Sequence, residues 1–183
     1  MTILETNRLI LRPWRLDDAP QLYQYAKDSR VGPVAGWPAH HSVQESKSVI
    51  ENVLMTTGTF AMAFKETPNM IIGSVGLKFT HSIDYPDFMT DKSAEIGYWI
   101  GVPFWGQGLM PEAVNRLLLY GFNQLELAEI WAGYYEGNQQ SRRVQEKCGL
   151  SYQLTVVDKY VPLLKLYKDE HFLRITREEW QNK

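Results

Sequence analysis

The chain has 183 residues, about the length of one domain, and its net charge of −2 offers no basic excess for binding a nucleic-acid backbone. Its 44% hydrophobic and 22% charged residues are ordinary for a soluble protein, and no stretch reaches the roughly 18 apolar residues of a membrane span. With a single cysteine, Cys148, and no signal-peptide pattern at the N-terminus, we predict one cytoplasmic domain over residues 1–183, without a membrane or nucleic-acid partner.

The N-terminal part of the chain is predicted to hold one strand and two helices. Charged and apolar residues alternate over residues 8–14, which is typical of a strand. Asp17 is predicted to cap a helix that has Pro20 in its first turn. Ser42 and Glu45 have the spacing of a capping box, which predicts a second helix. The apolar side of that second helix is formed by Val49, Ile50, Val53 and Leu54.

The rest of the chain is predicted to complete a mixed sheet. Strand patterns cover residues 59–65, 70–79, 94–102, 129–135, 150–157 and 166–175. Helical patterns cover residues 111–125 and 138–147, and Thr176 caps a short last helix. The turn at residues 67–69 indicates a hairpin, whereas the strand–helix–strand unit from residue 94 to 135 needs parallel strands. We therefore predict an α/β fold with helices on both faces of a central mixed sheet, and a long loop over residues 80–92.

The most informative stretch runs from Phe104 to Ala113, between a predicted strand and a predicted helix. Its two closely spaced glycines, Gly106 and Gly108, let the backbone approach a ligand without a side chain in between. The free N–H groups at the start of the next helix point at the same place, which favours an anion and most often a phosphate. A plain turn is the alternative, because a lone Gly-x-Gly is common.

The chain resembles the GCN5-related N-acetyltransferases (GNAT), and most of all the ribosomal-protein N-terminal acetyltransferases, over nearly its whole length. The segments that carry the resemblance are residues 6–14, 17–19, 94–100, 105–108, 138–144, 146–150 and 176–180. Two positions depart from the superfamily pattern. Met110 stands where the pattern has glycine or alanine, and Gln145 stands where many relatives have a tyrosine that acts as an acid.

The resemblance implies a GNAT-type acyl-CoA N-acyltransferase fold, acetyl-coenzyme A as the acetyl donor and a primary amine as the acceptor. The pyrophosphate would sit on the glycine turn, the pantetheine arm would pair with the end of the central strand, and Asn138 would help to hold the arm. The residues predicted to bind coenzyme A are Ile100, Gly101, Val102, Gly106, Gln107, Gly108, Leu109, Met110, Asn138 and Ser141. No metal site is expected, because the four histidines show no metal-ligand spacing.

Two side chains are predicted to do the chemistry. Glu95 is the candidate general base, acting through water, because partial burial among Ala94 and Ile96 raises the pKa of a carboxyl. A salt bridge is its alternative role. Ser141 is the candidate acid toward the leaving sulfur, because it lies one helical turn after Asn138 and both can face one ligand. Its alternative role is a hydrogen bond to the backbone or to coenzyme A.

Other side chains have two interpretations each. Three basic residues either meet the 3′-phosphate of coenzyme A or form a solvated helix face: Arg142, Arg143 and Lys147. Four aromatic residues either wall the acceptor cleft or belong to the core: Trp37, Tyr98, Trp99 and Phe104. Three loop aspartates either attract a cationic amine or are solvated: Asp84, Asp87 and Asp91. Cys148 is interpreted as a packed small residue.

The predicted function is acetyl transfer directly from acetyl-CoA to the N-terminal amine of a protein, with a ribosomal protein as the first candidate. An α-amine, with a pKa of about 7.7–8.0, loses its proton more easily than a lysine amine, with a pKa of about 10.4. The alternatives are a small-molecule amine (a polyamine, an amino acid or an antibiotic) and a non-catalytic module that binds coenzyme A. A two-fold homodimer is the general expectation for the assembly.

Overall fold

The computed structural model describes residues 2–79 and 88–183. The strands within these residues are β1 (Leu4–Glu5), β2 (Leu9–Arg12), β3 (Thr59–Phe64), β4 (Ile71–Phe79), β5 (Ser93–Ile100), β6 (Glu129–Tyr135), β7 (Ser151–Val161) and β8 (Leu166–Thr176). The α-helices within them are α1 (Ala19–Ala26), α2 (Val43–Val49), α3 (Leu109–Asn123), α4 (Gln139–Lys147) and α5 (Arg177–Gln181). None of the described helices has the length and apolar composition that crossing a bilayer requires.

These strands form one mixed sheet in the order β1-β2-β3-β4-β5-β6-β8-β7. Neighbouring strands are antiparallel except β5 and β6, which are parallel and joined through α3. The predicted α/β class and mixed sheet are confirmed. The sequence patterns missed β1, because two residues are too few to show an alternation.

Helices cover both faces of the sheet, as predicted. On one face, which we call the α3 face, Ile96 and Tyr98 of β5 pack into the larger core with α3. On the other, the α1 face, Trp99 of β5 packs with Trp14 and with residues of α1. Because successive side chains of a strand point to opposite faces, neighbours along β5 serve different sides of the molecule.

The two parallel strands separate soon after they meet. They pair only between Ser93–Glu95 on β5 and Glu129–Trp131 on β6, whereas β5 stays paired with β4 as far as Ile100. The remaining residues of the two strands border a gap in the middle of the sheet. In the described part of the sheet, the gap therefore leaves the backbone groups at the end of β5 without a partner from β6.

The start of the first helix differs from its prediction. Asp17 does not cap it, because a 3₁₀ turn over Leu16–Asp18 precedes α1 and no side chain caps the helix. The neighbouring Asp18 accepts hydrogen bonds from both terminal nitrogens of Arg12, at 2.8 and 2.7 Å. Both side chains are buried, so this carboxylate neutralises an arginine that would otherwise be an unpaired buried charge.

Other boundaries also moved. Helix α3 begins at Leu109, two residues before the predicted start, because a proline is tolerated in a first helical turn where no N–H acceptor exists. Helix α2 ends at Val49 and continues as a π-helical turn, in which Val53 is exposed and not on a buried side as predicted. Ser42 does cap α2, accepting from the N–H of Glu45 at 3.0 Å. Most of the predicted loop over residues 80–92 lies outside the described residues.

Candidate functional site

The glycine turn before α3 is an open cradle of backbone N–H groups. Gly106 and Gly108 have φ angles of 75° and 73°, in the left-handed region that favours glycine. None of the N–H groups of residues 106–110 donates to an acceptor in the described part of the chain. A Cβ added at Gly106 would meet nothing within 4 Å. The turn therefore presents unpaired donors and free space at a helix N-terminus, an arrangement that favours an anion.

The side chains of the cradle turn inward. Leu109 and Met110 are buried in the core of the α3 face, and the methionine that departs from the superfamily pattern also lines the cavity beside the cradle. Glu112 also points away. Its carboxylate accepts from the hydroxyl of Thr6, from the backbone N–H of Arg8 at 2.9 Å and from Arg8 Nε at 2.7 Å. This acid therefore does not compete with an anion in the cradle.

Arg8 is a cradle residue that the sequence analysis missed. Its Nη1 donates to the carbonyl of Gln107 at 3.1 Å, and its Nη2 lies 3.7 Å from the position of a Cβ on Gly108. The side chain is 46% exposed, so the guanidinium can approach a bound phosphate. No sequence pattern could have found it, since Arg8 reaches the turn only through the pairing of β2 with the sheet.

The end of β5 supplies backbone groups to the gap. The N–H of Gly101 donates to the carbonyl of Ile72 at 2.9 Å. In an antiparallel ladder the bonded groups alternate, so those of Tyr98 and Ile100 point away from β4 and into the gap. The carbonyl of Ile100 accepts from the indole of Trp105 at 2.9 Å. The N–H of Gly101 is therefore not available to pair with an extended ligand, contrary to the prediction. The groups that remain for such pairing are the gap-facing ones of Tyr98 and Ile100.

A cavity of ≈ 330 Å³ connects the cradle with the gap and with α4. Arg143 and Lys147 of α4 line it. Arg142 does not line it, because it pairs with Glu146 at 2.8 Å. The three basic residues therefore divide into two that face the cavity and one on the solvated face of the helix.

Asn138 joins the cavity to the loop that follows α1. Its Oδ1 accepts from the N–H of Ser141 at 3.2 Å and so caps α4. Its Nδ2 donates to the carbonyl of Val34 at 3.0 Å. Lys168 of β8 donates to the neighbouring carbonyl of Pro33 at 3.3 Å. The loop is thereby tied across the gap to the second half of the sheet.

Ser141 lies in the cavity within a buried hydrogen-bond network. Its Oγ is 2.9 Å from the hydroxyl of Tyr98 and 3.2 Å from Nε2 of Gln145. Burial raises the pKa of Tyr98 far above its ordinary range, so this hydroxyl stays protonated. The hydroxyl of Tyr98 also donates to the backbone carbonyl of Ser141 at 3.1 Å, so its one proton is divided between that carbonyl and Ser141 Oγ. The sequence analysis interpreted Tyr98 as part of the cleft wall or core, and Gln145 as the position where a catalytic tyrosine is absent. The structure places both side chains against Ser141.

Glu95 lies on the other side of the gap, on the α1 face. The alternation of β5 separates it from Ala94 and Ile96, which point to the α3 face, so the apolar neighbours invoked for it are not its surroundings. The salt bridge that is the alternative role of Glu95 is not formed with any described residue, and none of them donates a hydrogen bond to it. The structure therefore brings Glu95 and Ser141 to opposite faces of one gap.

The aromatic candidates divide in the same way. Trp37 and Trp99 meet on the α1 face, with ring centroids 6.2 Å apart. Phe104 packs against Tyr25 and Phe64. Cys148 is buried, and burial raises the pKa of its thiol to about 11, so it is a packed residue and not a nucleophile.

Residues 8–151 match the family described as "Acetyltransferase (GNAT) domain". The chain therefore belongs to the GNAT acetyltransferase family. A relative from Bacillus licheniformis, described as "Uncharacterized N-acetyltransferase p20", is 36% identical over 137 residues, which is 72% of each chain. GNAT acetyltransferases use acetyl-CoA as their acetyl donor.

Two solved structures illustrate the likeness of the fold. The first is described as a putative ribosomal-protein-serine acetyltransferase from Vibrio cholerae. It has a TM-score of 0.77 and 23% identity, over 96% of this chain and 97% of that one. The second is Mycobacterium smegmatis RimJ in complex with CoA-disulfide. It has a TM-score of 0.75 and 21% identity, over 97% of this chain and 87% of that one.

Proposed function

We propose that this GNAT protein transfers the acetyl group of acetyl-CoA directly to a primary amine, and that the amine is the N-terminus of a protein. The observation that carries the proposal is the run of unpaired N–H groups over residues 106–110 at the mouth of the gap. A pyrophosphate held there directs the rest of coenzyme A along the cavity toward Ser141. Arg8, Arg143 and Lys147 supply positive charge around the phosphates.

The gap organises the reaction by separating donor and acceptor. The thioester lies on the α3 face, where the gap-facing N–H groups of Tyr98 and Ile100 are donors for the oxyanion that forms on its carbonyl. The amine approaches from the α1 face, where Glu95 is the free carboxylate that takes its proton through water. As the nitrogen–carbon bond forms and the carbon–sulfur bond breaks, the thiolate takes the proton of Ser141.

The network around Ser141 supports its role as the acid. Gln145 donates to its oxygen, and the hydroxyl of Tyr98 contacts the same oxygen at 2.9 Å, so the serine hydroxyl is held in the cavity near the place of the sulfur. Two hydrogen bonds to the same oxygen also stabilise the alkoxide that remains after the transfer. The absent tyrosine of the superfamily is thus replaced by a serine with a tyrosine behind it.

A protein N-terminus is favoured over a small amine for two reasons. An α-amine has a pKa of about 7.7–8.0, so a weak base such as a glutamate suffices near neutral pH. The Vibrio cholerae structure with the same fold is described as a putative ribosomal-protein-serine acetyltransferase. Polyamines, amino acids and antibiotics are the competing acceptors, and a coenzyme-A-binding module without catalysis is the competing class.

The test is thiol release from acetyl-CoA in the presence of a panel of amines. The panel contains short peptides with a free N-terminal serine or alanine, the same peptides with a blocked N-terminus, spermidine, lysine and kanamycin. We expect release with the free peptides and none with the blocked ones. Release only with a small amine would replace the proposed acceptor. Calorimetric binding of acetyl-CoA without release on any amine would favour the non-catalytic module.

A further inference from the structure

A second carboxylate stands at the gap on the α1 face, opposite Glu95. Glu170 comes from β8, where it pairs in register with Tyr135 of β6. It is 6% exposed, and its Oε1 lies 2.7 Å from the position that a Cβ on Gly133 would occupy. Its carboxylate therefore lies over Gly133 of β6. This residue comes after Trp131, the last residue of β6 that pairs with β5, and so borders the gap.

Two glycines form the floor between the two carboxylates, and the end of the Lys78 side chain lies over one of them. Gly97 follows Glu95 on the same face of β5, and Gly133 is the corresponding residue of β6. A Cβ at Gly97 would meet Cε and Nζ of Lys78, at 3.5 and 3.7 Å, so this ammonium faces the same floor, whereas a Cβ at Gly133 would collide with the carboxylate of Glu170. Two glycines on either side of a gap leave room for a ligand to approach the backbone.

One oxygen of Glu170 is already engaged by an ammonium and the other is not. Lys159 of β7 pairs with Oε2, and its ammonium also lies 5.4 Å from the ring centroid of Phe172. Oε1 accepts no hydrogen bond from any described residue and is not among the buried polar atoms without a partner, so it retains contact with solvent. The geometry at this carboxylate thus suits a second alkylammonium group.

We propose that Glu170 binds the acceptor as an ammonium ion through Oε1 and places its nitrogen over Gly133, beside Glu95. The inference rests on the proposed function. It states that two carboxylates, Glu95 and Glu170, recognise the acceptor and favour a charged amine over a neutral acceptor. Glu170 binds the cation, Glu95 takes one proton from it through water, and the neutral amine that results attacks the thioester with its free lone pair. Burial raises the pKa of Glu170 and the charge of Glu95 adds to this rise, whereas the ammonium groups of Lys159 and Lys78 oppose it and leave Oε1 free to accept a hydrogen bond.

The test compares two variants that disturb Glu170 in different ways. Glu170→Gln removes the charge, and Gly133→Ala places a methyl group against Oε1 without changing any charge. With a short peptide carrying a free N-terminal serine, both should raise the KM for the peptide about tenfold, the value of one charge-assisted hydrogen bond. The Kd for acetyl-CoA and kcat should each stay within about twofold.

Asp169→Asn is the matched control, because it removes a carboxylate from the neighbouring residue of β8, on the opposite face. The asparagine oxygen can still accept from the N–H of Asp158, and the peptide KM should not change. An unchanged peptide KM in Glu170→Gln or in Gly133→Ala overturns the inference, as does a fall in kcat alone. If Glu170→Gln does not fold, Gly133→Ala decides. Wild-type protein that acetylates no amine refutes the proposed function itself, and this inference with it.

Discussion

The two faces of the gap are assembled in different ways. On the α3 face, the groups that would hold the donor come from short continuous stretches, residues 106–110 of the glycine turn and residues 138–145 at the start of α4. On the α1 face, the groups that would meet the acceptor come one at a time from three strands: Glu95 from β5, Gly133 from β6 and Glu170 from β8. The donor side is local in sequence and the acceptor side is built by strand register.

This difference has a physical basis in what each ligand requires. A phosphate is bound by consecutive backbone N–H groups, and a turn of five residues supplies them wherever it lies in the chain. An amine is recognised by side-chain oxygens, whose spacing depends on which residues of neighbouring strands lie opposite each other. One family can therefore keep its donor side while single substitutions on the strands change its acceptor.

The largest expected effect is the loss of the base on the α1 face. Glu95→Gln should lower kcat about 100-fold, because a general base contributes about that factor or more, and should leave the Kd for acetyl-CoA unchanged. Steady-state kinetics and calorimetry on one preparation measure both. The result would show that the two faces act independently.

Glu129→Gln provides the control for Glu95. This carboxylate also lies on the α1 face, but in the paired part of β6, and its oxygens accept from Ser93, Trp131 and Arg174. We expect a lower melting temperature and an unchanged kcat. Equal kcat values for Glu95→Gln and wild type would remove Glu95 from the mechanism.

The next effect concerns the donor face. Gly106→Ala puts a methyl group into the cradle at a φ of 75°, and should raise the Kd for acetyl-CoA about 10- to 100-fold. Gly137→Ala is its control, because Gly137 also has a positive φ and a Cβ there also meets nothing within 4 Å. Both variants carry similar backbone strain, of about 1 kcal/mol, so a difference between their Kd values reports the methyl group in the cradle. Equal Kd values would mean that the turn holds no phosphate.

The contrast between the faces also explains how far the sequence could be interpreted. The glycine turn and the Asn138–Ser141 pair were predictable, because each is a local pattern that the structure keeps intact. The place of Tyr98 was not, because assigning it to one face needs the exact phase of β5. Glu170 carried no local signal, since its distance to the gap depends on the pairing of β6 with β8.

A smaller effect is expected for the hydroxyl behind Ser141. Tyr98→Phe removes one hydrogen bond to Ser141 Oγ and should lower kcat about three- to tenfold, with unchanged Kd and KM values. If Tyr98 acts only through Ser141, adding Tyr98→Phe to Ser141→Ala should cause no further loss. Tyr120→Phe is the control, since it removes another largely buried tyrosine hydroxyl, from α3. Additive losses in the double variant would show that Tyr98 has a separate role.

The smallest effect tests how the N-terminal strands stabilise the cradle. Burial opposes the ionisation of Glu112, but the hydrogen bonds from Thr6 and Arg8 outweigh it and lower its pKa below the ordinary value. A carboxyl with a lowered pKa in the folded state stabilises the protein above its unfolded pKa of about 4.3, and this contribution is lost as the pH falls through the folded value. Glu112→Gln should therefore lower the free energy of unfolding by about 1 kcal/mol near neutral pH, and the difference should vanish in acid.

Urea unfolding of both proteins across this pH range measures the difference. Glu178→Gln is the control, because Glu178 is an exposed acid in the first turn of α5 whose carboxylate accepts no hydrogen bond from a described residue. The Kd for acetyl-CoA should change by less than about twofold in Glu112→Gln, since the carboxylate faces Thr6 and Arg8 and not the cradle. A large gain in affinity would mean that Glu112 repels the phosphate. The N-terminal strands that hold Glu112 would then affect donor binding directly.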